Sequence, residues 1–297
     1  MLDREAVTGP DQHGHVQGVS EWVTTRDGRR LHTMVLPGPQ NNTAPVVVFE
    51  AGAAATRSSW GLVQPEVGRF ARAVVYDRAG LGRSPADPAG RSLDRMADDL
   101  VDVLDHFGPG PFVLAGHSAG GVIARLAAAR RLDRTAGLVL VDPTDEAADM
   151  LFGPAFRRME RVAITVNGCL ARLGLLRRMF GRLLDAMPAD VRADMEREAF
   201  IPEVIRTQAV QARTFLDDLA AWREAPPAAG DIPVTVISGA RAGDGMNARV
   251  RAAANAAHAH RAAVTGGRHV LAHNSSHYPP ITDPGVVVEE IRLIAAP

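Results

Sequence analysis

The 297-residue chain contains no lysine, so its 33 basic residues other than histidine are all arginine. A lysine Schiff base is therefore impossible, which excludes pyridoxal enzymes and imine-forming aldolases. A Walker-type phosphate loop would also lack its lysine. The single cysteine, Cys169, cannot form an internal disulfide, so nothing in the composition indicates an oxidising compartment.

Long apolar runs and a strong net charge are also missing. No run of about 18 apolar residues occurs, so we predict no transmembrane helix and no stable membrane anchor. Residues 1–17 are typical of a loose polar leader, and residues 1–14 lack the apolar stretch of a signal peptide. A net charge of −1 gives no reason to expect nucleic acid or an anionic membrane as the main partner. We therefore expect a cytoplasmic protein that acts on a small molecule, with its oligomeric state left open.

Short apolar runs alternate with helical patterns along much of the chain. The runs predict buried parallel strands at residues 46–49, 73–76, 112–115, 138–141, 234–237 and 269–272. Alternating segments at 21–25 and 31–36, joined by a turn at 26–29, predict a hairpin. Helices are predicted at 93–107 with Ser92 as N-cap, at 122–131 and at 286–294. The fold class is therefore α/β, with a mostly parallel sheet between two layers of helices.

Residues 145–229 interrupt this alternation because they contain no strand-like run. Their pattern predicts helices at 156–184, 189–198 and 202–222. We expect a helical cap, or lid, inserted into a core formed by residues 1–144 and 230–297. Leucines and arginines are interleaved over residues 170–184, so this segment could contact lipid as a cationic amphipathic helix. Packing of an ordinary cap helix on the core is the favoured interpretation.

Residues 116–120 (GHSAG) fit the pattern G-x-S-x-G, with a predicted strand before them and a predicted helix after them. In that context Ser118 stands on a sharp strand-to-helix turn, and the flanking glycines leave room for the turn and for neighbouring backbone. The N–H group of Ala119 then lies at the start of a helix, where it can stabilise a developing oxyanion. The motif predicts Ser118 as a nucleophile.

With these motifs the chain resembles the α/β-hydrolase fold superfamily over most of residues 19–296. Four segments carry the resemblance in a specific order: residues 49–54 (FEAGAA), 76–84 (YDRAGLGRS), 116–120 (GHSAG) and 276–284 (SHYPPITDP). The resemblance implies an oxyanion donor in the first of them, the N–H group of Ala53. The superfamily often has His-Gly there and this chain has Ala51-Gly52, but only backbone N–H is needed. Residues 77–78 and 80–82 are expected to brace the turn near Ser118.

A serine hydroxyl needs a histidine within hydrogen-bond reach to accept its proton, and the histidine needs an acid to fix its tautomer. Three of the ten histidines lie near the end of the chain: His269, His273 and His277. His277 lies in a loop between the last predicted strand and the last predicted helix. It also follows Ser118 and every candidate acid, as the order serine, acid, histidine requires. We predict His277 as the base, with His273 as the alternative.

Two aspartates compete for the role of the acid. Most of the superfamily carries the acid after the strand that ends here at residues 238–239, commonly three residues past the glycine, but that position is Ala242. Asp244 lies two residues further on, in a glycine-rich run. Asp142 lies at the end of the 138–141 strand, where some members of the superfamily place the acid and where the backbone is more rigid. We favour Asp142 and keep Asp244 as the alternative.

The residues and the resemblance together predict a serine hydrolase that cleaves a carboxylic ester or related acyl bond through an acyl-serine intermediate, without metal or organic cofactor. The superfamily's epoxide hydrolases and haloalkane dehalogenases use an aspartate nucleophile, so Ser118 argues against those activities. Carbon–carbon bond hydrolysis, acyl transfer and cofactor-free perhydrolysis on the same residues are alternatives. A further alternative is a ligand-binding receptor that keeps the hydrolase fold and turns over little substrate.

Overall fold

The computed structural model describes residues 14–296 and contains, within them, one eight-stranded sheet. In chain order the strands are β1 (Val19–Thr24), β2 (Arg30–Leu36), β3 (Val46–Glu50), β4 (Ala73–Tyr76), β5 (Phe112–His117), β6 (Thr135–Val141), β7 (Val234–Gly239) and β8 (Arg268–Ala272). Their order across the sheet is β1-β2-β4-β3-β5-β6-β7-β8. The β1–β2 and β2–β4 pairs are antiparallel and the others parallel, which confirms the predicted hairpin and the mostly parallel sheet.

Helices cover both faces of this sheet, and further helices lie in the segment between β6 and β7. They are α1 (Gln64–Val67), α2 (Leu93–His106), α3 (Ala119–Arg130), α4 (Pro154–Arg172), α5 (Leu176–Met179), α6 (Gly181–Asp185), α7 (Ala189–Glu198), α8 (Pro202–Gln211), α9 (Phe215–Ala221), α10 (Ala248–Val264), α11 (Pro279–Thr282) and α12 (Pro284–Ala295). One apolar core joins the sheet to α2 and α3, and a second joins it to α1 and α12. The three-layer α/β fold is therefore confirmed.

Local sequence explains where the main helices begin and end. The Ser92 hydroxyl accepts a hydrogen bond from the Arg95 N–H group and caps α2, as predicted. The predicted 156–184 helix is instead divided into α4, α5 and α6. The first division falls at Gly174, whose φ of 67° suits glycine and is incompatible with a continuing right-handed helix. The predicted 202–222 helix is also divided, into α8 and α9, with residues 212–214 between them.

Helix α10 was missing from the sequence-based prediction. Its sequence is rich in alanine, the best helix former, and the Asn247 side chain caps it by accepting a hydrogen bond from the Val250 N–H group. The helix packs against β7 and β8 and carries Arg251 into the interior. Its omission therefore matters for the site described below.

Residues 145–229 contain helices and no strand, and they connect β6 to β7. Their last helix, α9, packs in the same apolar core as α2 and α3. The fully buried Arg57 of the core donates hydrogen bonds to Asp77 at 2.6 Å and to Glu198 of α7 at 2.5 Å. It also pairs with Asp194 of α7. Residues 145–229, the predicted cap, are thus joined to the rest of the fold by buried ion pairs as well as by apolar contacts.

The predicted polar leader divides into two parts. Residues 1–13 lie outside the described residues. Residues 14–17 are not loose, because the Val16 N–H group donates to Asp190 at 2.7 Å and Gln17 is fully buried. Within residues 14–296, no helix is both long and apolar enough to cross a membrane.

Candidate active site

Ser118 occupies a strained turn between β5 and α3. Its backbone has φ 54° and ψ −124°, a conformation that side-chain-bearing residues rarely adopt. Hydrogen bonds hold it there: the Ser118 N–H group donates to the Val141 carbonyl at 3.0 Å, and the Thr144 N–H group donates to the Ser118 carbonyl at 3.1 Å. The surrounding backbone therefore fixes the position of the hydroxyl at the carboxyl end of β5.

The two glycines of the motif are required by close backbone contacts. A Cβ atom on Gly116 would lie 2.6 Å from the Gly120 carbonyl oxygen. A Cβ atom on Gly120 would lie 2.4 Å from the Glu50 carbonyl oxygen and 2.5 Å from that of Ala51. The start of α3 thus approaches the loop after β3 more closely than any side chain would permit.

The His277 ring is held by Asp142. The His277 Nδ1 and Asp142 Oδ2 atoms are 2.7 Å apart, across the ends of β6 and the loop after β8. Because an ionised carboxylate only accepts hydrogen bonds, Nδ1 carries the proton and Nε2 keeps its lone pair. The side chain of His277 is about a quarter exposed, whereas that of Asp142 is buried. This geometry leaves His277 able to accept a proton at the cavity.

Asp142 is surrounded by donors in addition to His277. Its Oδ1 atom accepts the Gly239 N–H group at 3.0 Å, and Arg251 of α10 donates to Oδ2 at 2.8 Å and also to Oδ1. Burial alone would raise the pKa of Asp142, but the hydrogen bonds from His277 and Arg251 outweigh it and hold that pKa well below its usual range. The carboxylate is therefore ionised at neutral pH.

Asp244 contacts the backbone of His277 and not its ring. Its Oδ2 atom accepts the His277 backbone N–H group at 3.3 Å and a hydrogen bond from the Ser276 hydroxyl. Asp244 is exposed in the loop after β7 and has a φ of 51°. Of the two candidate acids, the structure brings Asp142 to the ring and Asp244 to the backbone of the loop.

The other candidate histidines have different surroundings. His273, the alternative base, is exposed and does not line the cavity, and the His269 ring contacts the Ser238 hydroxyl at 2.8 Å. The His117 Nε2 atom lies 2.7 Å from the His277 carbonyl oxygen, so Nε2 carries the proton that bridges them. Burial, together with the nearby His277, lowers the pKa of His117 from 6.5 to about 4. His117 is therefore a neutral residue that ties the His277 loop to the serine turn.

The loop after β3 is held by Arg78. This buried guanidinium donates to the carbonyl oxygens of Ala51, Gly52 and Ala53 and pairs with Glu50. These contacts fix the peptide groups of the loop beside Ser118. Residues 77–78 were expected to brace the turn near Ser118. Arg78 contacts the loop after β3 instead, and Asp77 accepts hydrogen bonds from Arg57 and His32.

A cavity of about 310 Å³ opens above Ser118. Its core wall is formed by Ala53, His117, Ser118 and His277. The other wall, which we call the cap wall, is formed by residues of the predicted cap. It contains, among others, Asn167, Leu176, Phe180, Phe200, Ile205 and Gln208. No Asp, Glu or Arg lines it in the described part of the chain, and no cluster of three or more His, Cys, Asp or Glu residues there is arranged to hold a metal ion. The arrangement can activate a hydroxyl nucleophile toward a mostly apolar, uncharged molecule.

The sequence profile of the Alpha/beta hydrolase family matches residues 47–290, which include all of these site residues. The chain belongs to the alpha/beta hydrolase family. Among the curated relatives of this chain, the uncharacterized protein YqjL of Bacillus subtilis (strain 168) is 31% identical over 140 residues, 46% of this chain and 54% of that protein. Lipase LipV of Mycobacterium tuberculosis is 46% identical over 67 residues, 23% of this chain and 25% of that protein. The chain thus spans about half or less of the length of these relatives.

Solved structures agree with this chain in fold. The enol-lactonase of Burkholderia xenovorans LB400 superposes with a TM-score of 0.62 at 20% sequence identity, covering 92% of this chain and 99% of that one. At this level of identity the similarity shows the shared fold.

Sequence reasoning missed Arg251 and assigned Arg78 a different contact. Arg251 is the buried partner of Asp142, and Arg78 holds the loop after β3. Arg78 was expected only to brace the turn, and its contact with the loop after β3 joins segments that lie 25 or more residues apart in the chain. No sequence signal separates Arg251 from Arg249, which lies two residues earlier in the same alanine-rich run and is exposed.

Proposed function

We propose that this hydrolase cleaves a carboxylic ester or related acyl bond through an acyl-serine intermediate. The observation that supports it best is the 2.7 Å contact between Asp142 and the His277 ring, placed at the same cavity as Ser118 on its strained turn. Ser118 Oγ attacks the acyl carbon while His277 Nε2 takes the hydroxyl proton, which then passes to the leaving group. Water activated by His277 releases the acid and restores the serine.

Asp142 is proposed to orient His277 and to stabilise the imidazolium, and Asp244 to position only the loop. The N–H groups of Ala53 and Ala119 are proposed as the donors to the tetrahedral oxyanion. Ala119 begins α3, where the helix terminus adds partial positive charge. Each such donor typically contributes about 3 kcal/mol of transition-state stabilisation.

The substrate is proposed to be an uncharged ester with a compact apolar group. Leu176, Phe180 and Phe200 offer apolar surface, and the cavity volume of about 310 Å³ suits a small molecule. Asn167 and Gln208 provide amide groups, so a hydroxyl or carbonyl at the far end of the substrate would be recognised. We further propose that α4–α8 cover Ser118 as a lid.

The test is turnover of a panel of p-nitrophenyl esters together with labelling by a fluorophosphonate. We expect hydrolysis and covalent labelling of the wild-type protein, and loss of both in Ser118→Ala. Hydrolysis by Ser118→Ala at the rate of the parent would refute the serine mechanism. Labelling without ester turnover would instead favour acyl transfer, perhydrolysis or carbon–carbon bond cleavage on the same residues. Absence of both would favour the ligand-binding receptor.

A further inference from the structure

The outward side of α4 exposes a continuous apolar stripe. Met159, Val162, Val166 and Leu173 are 55%, 56%, 49% and 70% exposed, respectively. At about 100° per residue these positions fall within a single narrow band of the helix surface. Met179 of α5 adds a further exposed apolar side chain, at 66%. A stripe of this kind is unusual on a surface helix, whose outward face is normally polar.

Arginines accompany this stripe. Residues 154–182 contain seven arginines and one acidic residue, Glu160, although the whole chain carries a net charge of −1. Six of these arginines form no salt bridge with any residue in the range 14–296: Arg158, Arg161, Arg172, Arg177, Arg178 and Arg182. All six are exposed. We call the stripe and these arginines the outer cap face.

Elsewhere in residues 14–296 most arginines pair with carboxylates. The arginines there that form no salt bridge lie on separate segments and not in one run: Arg30, Arg72, Arg91, Arg213, Arg241 and Arg249. Arg125 and Arg261 share Asp145 and Glu146, and Arg57 is paired with three carboxylates. The chain therefore has enough acidic residues to pair arginines where folding uses them. On the outer cap face the positive charge is left for a partner outside the chain.

The outer cap face lies on the back of the cap wall. Helix α4 carries Asn167 to the cavity, and the α5–α6 segment carries Leu176 and Phe180 to it. The same helices thus line the substrate cavity on one side and present the stripe and the arginines on the other. A surface bound there would be next to the cavity without using its residues.

We propose that the outer cap face docks on the surface of an anionic phospholipid bilayer. The apolar stripe would enter the interface between headgroups and acyl chains, and the arginines would contact lipid phosphates. A second copy of the chain fits less well, because a two-fold contact would bring the same arginines together. Nucleic acid would pair with the arginines but leave the apolar stripe in water.

This proposal corrects what the net charge suggested. The total of −1 gave no reason to expect an anionic membrane, because acidic residues elsewhere in the chain offset the arginines of residues 154–182. The positive charge and the exposed apolar side chains occur together only on α4–α6. The sequence alone does not show which side of these helices faces outward. Docking of this kind is peripheral and does not depend on the proposed ester chemistry.

The single cysteine supplies a position-specific test, since Cys169 is exposed on α4 one turn beyond Val166. The protein is labelled there with an environment-sensitive fluorophore and mixed with vesicles of phosphatidylglycerol and phosphatidylcholine, or of phosphatidylcholine alone. We expect a blue shift and co-sedimentation with the anionic vesicles, both reversed at high salt. As a control, the label is moved to α12 by Cys169→Ser with Leu293→Cys, where no blue shift is expected.

Variants then separate the apolar and charged contributions. Leu173→Asp should weaken binding at least tenfold, while Leu293→Asp, a matched exposed leucine on α12, should not. The double variant Arg158→Gln with Arg161→Gln should weaken vesicle binding about 25-fold, because each arginine near an anionic surface contributes about fivefold. The control variant Arg69→Gln should not weaken vesicle binding. Unfolding curves and turnover of a soluble ester report whether each variant is intact.

The proposal is overturned if wild-type protein binds anionic and neutral vesicles equally, or if the Leu293 control loses as much binding as Leu173→Asp. Co-sedimentation without a blue shift at residue 169 would also overturn it, because another surface would then be responsible. A concentration-dependent dimer in sedimentation velocity that Leu173→Asp dissociates would assign the outer cap face to a second copy instead.

Discussion

The two walls of the cavity are built in different ways. On the core wall, Ser118 and His277 follow strand ends, and hydrogen bonds from buried groups fix both. On the cap wall, short helices contribute half-buried apolar side chains, such as Phe180 and Phe200 with ring centroids 5.3 Å apart. Groups that must be placed to within a fraction of an ångström thus lie on the rigid sheet, and groups that select the substrate lie where packing can adjust.

The buried ion pairs between the core and α7 limit how far the packing of the cap wall can adjust. Arg57, fully buried, connects Asp77 of the core to Asp194 and Glu198 of α7. Removal of one partner of such a network leaves an unpaired buried charge, which commonly costs about 3–5 kcal/mol. The cap wall can therefore vary in its lining residues while α7 stays attached to the core.

The largest expected effect comes from replacing the acid on the core wall. Asp142→Asn would leave His277 in the wrong tautomer, so we expect kcat to fall about 10⁴-fold. Asp244→Asn loses at most contacts to the backbone and to Ser276, so its kcat should stay within about fivefold of the parent. Both variants are measured side by side with the same p-nitrophenyl ester.

A result in which Asp244→Asn loses several orders of magnitude and Asp142→Asn does not would reverse the proposed assignment. The acid would then be the exposed residue in the glycine-rich run and not the buried residue at the strand end. Equal and small effects for both would show that neither orients His277.

A smaller effect, on stability and its pH dependence, is expected from Arg251→Met. The pKa of Asp142 lies below its unfolded value, so its stabilisation is present above about pH 4 and is lost as the pH falls. Without Arg251 the folded-state pKa rises, so acid unfolding should begin at a higher pH, and stability at neutral pH should fall by about 3–5 kcal/mol. Chemical unfolding at a series of pH values measures both.

Arg249→Met is the matched control, since Arg249 lies on α10 two residues earlier but is exposed. Its unfolding curve and acid transition should match those of the parent. An unchanged acid transition in Arg251→Met would mean that Gly239 and His277 alone hold Asp142 ionised.

Most strands and their mostly parallel arrangement could be predicted, because short continuous apolar runs that alternate with helical patterns favour a parallel sheet buried on both faces. The order of the strands across the sheet was not predicted. Ser118 could be placed because its motif joins a strand to a helix in five residues. The choice between Asp142 and Asp244 could not be decided, since both follow strands and both adopt positive φ. What separates them in the structure is which one lies beside the His277 ring, and that depends on the approach of α10 and β8 from more than 100 residues away.

The smallest expected effect comes from the cap wall. Asn167→Leu removes an amide group from the cavity, so kcat/KM for an ester with a hydroxylated acyl group should fall about fivefold relative to its alkyl counterpart. Thr165→Val, on the exposed side of the same helix, should leave that ratio unchanged. If Asn167→Leu instead lowers kcat for both esters by orders of magnitude, the cap wall takes part in the chemistry, and the division of labour between the two walls does not hold.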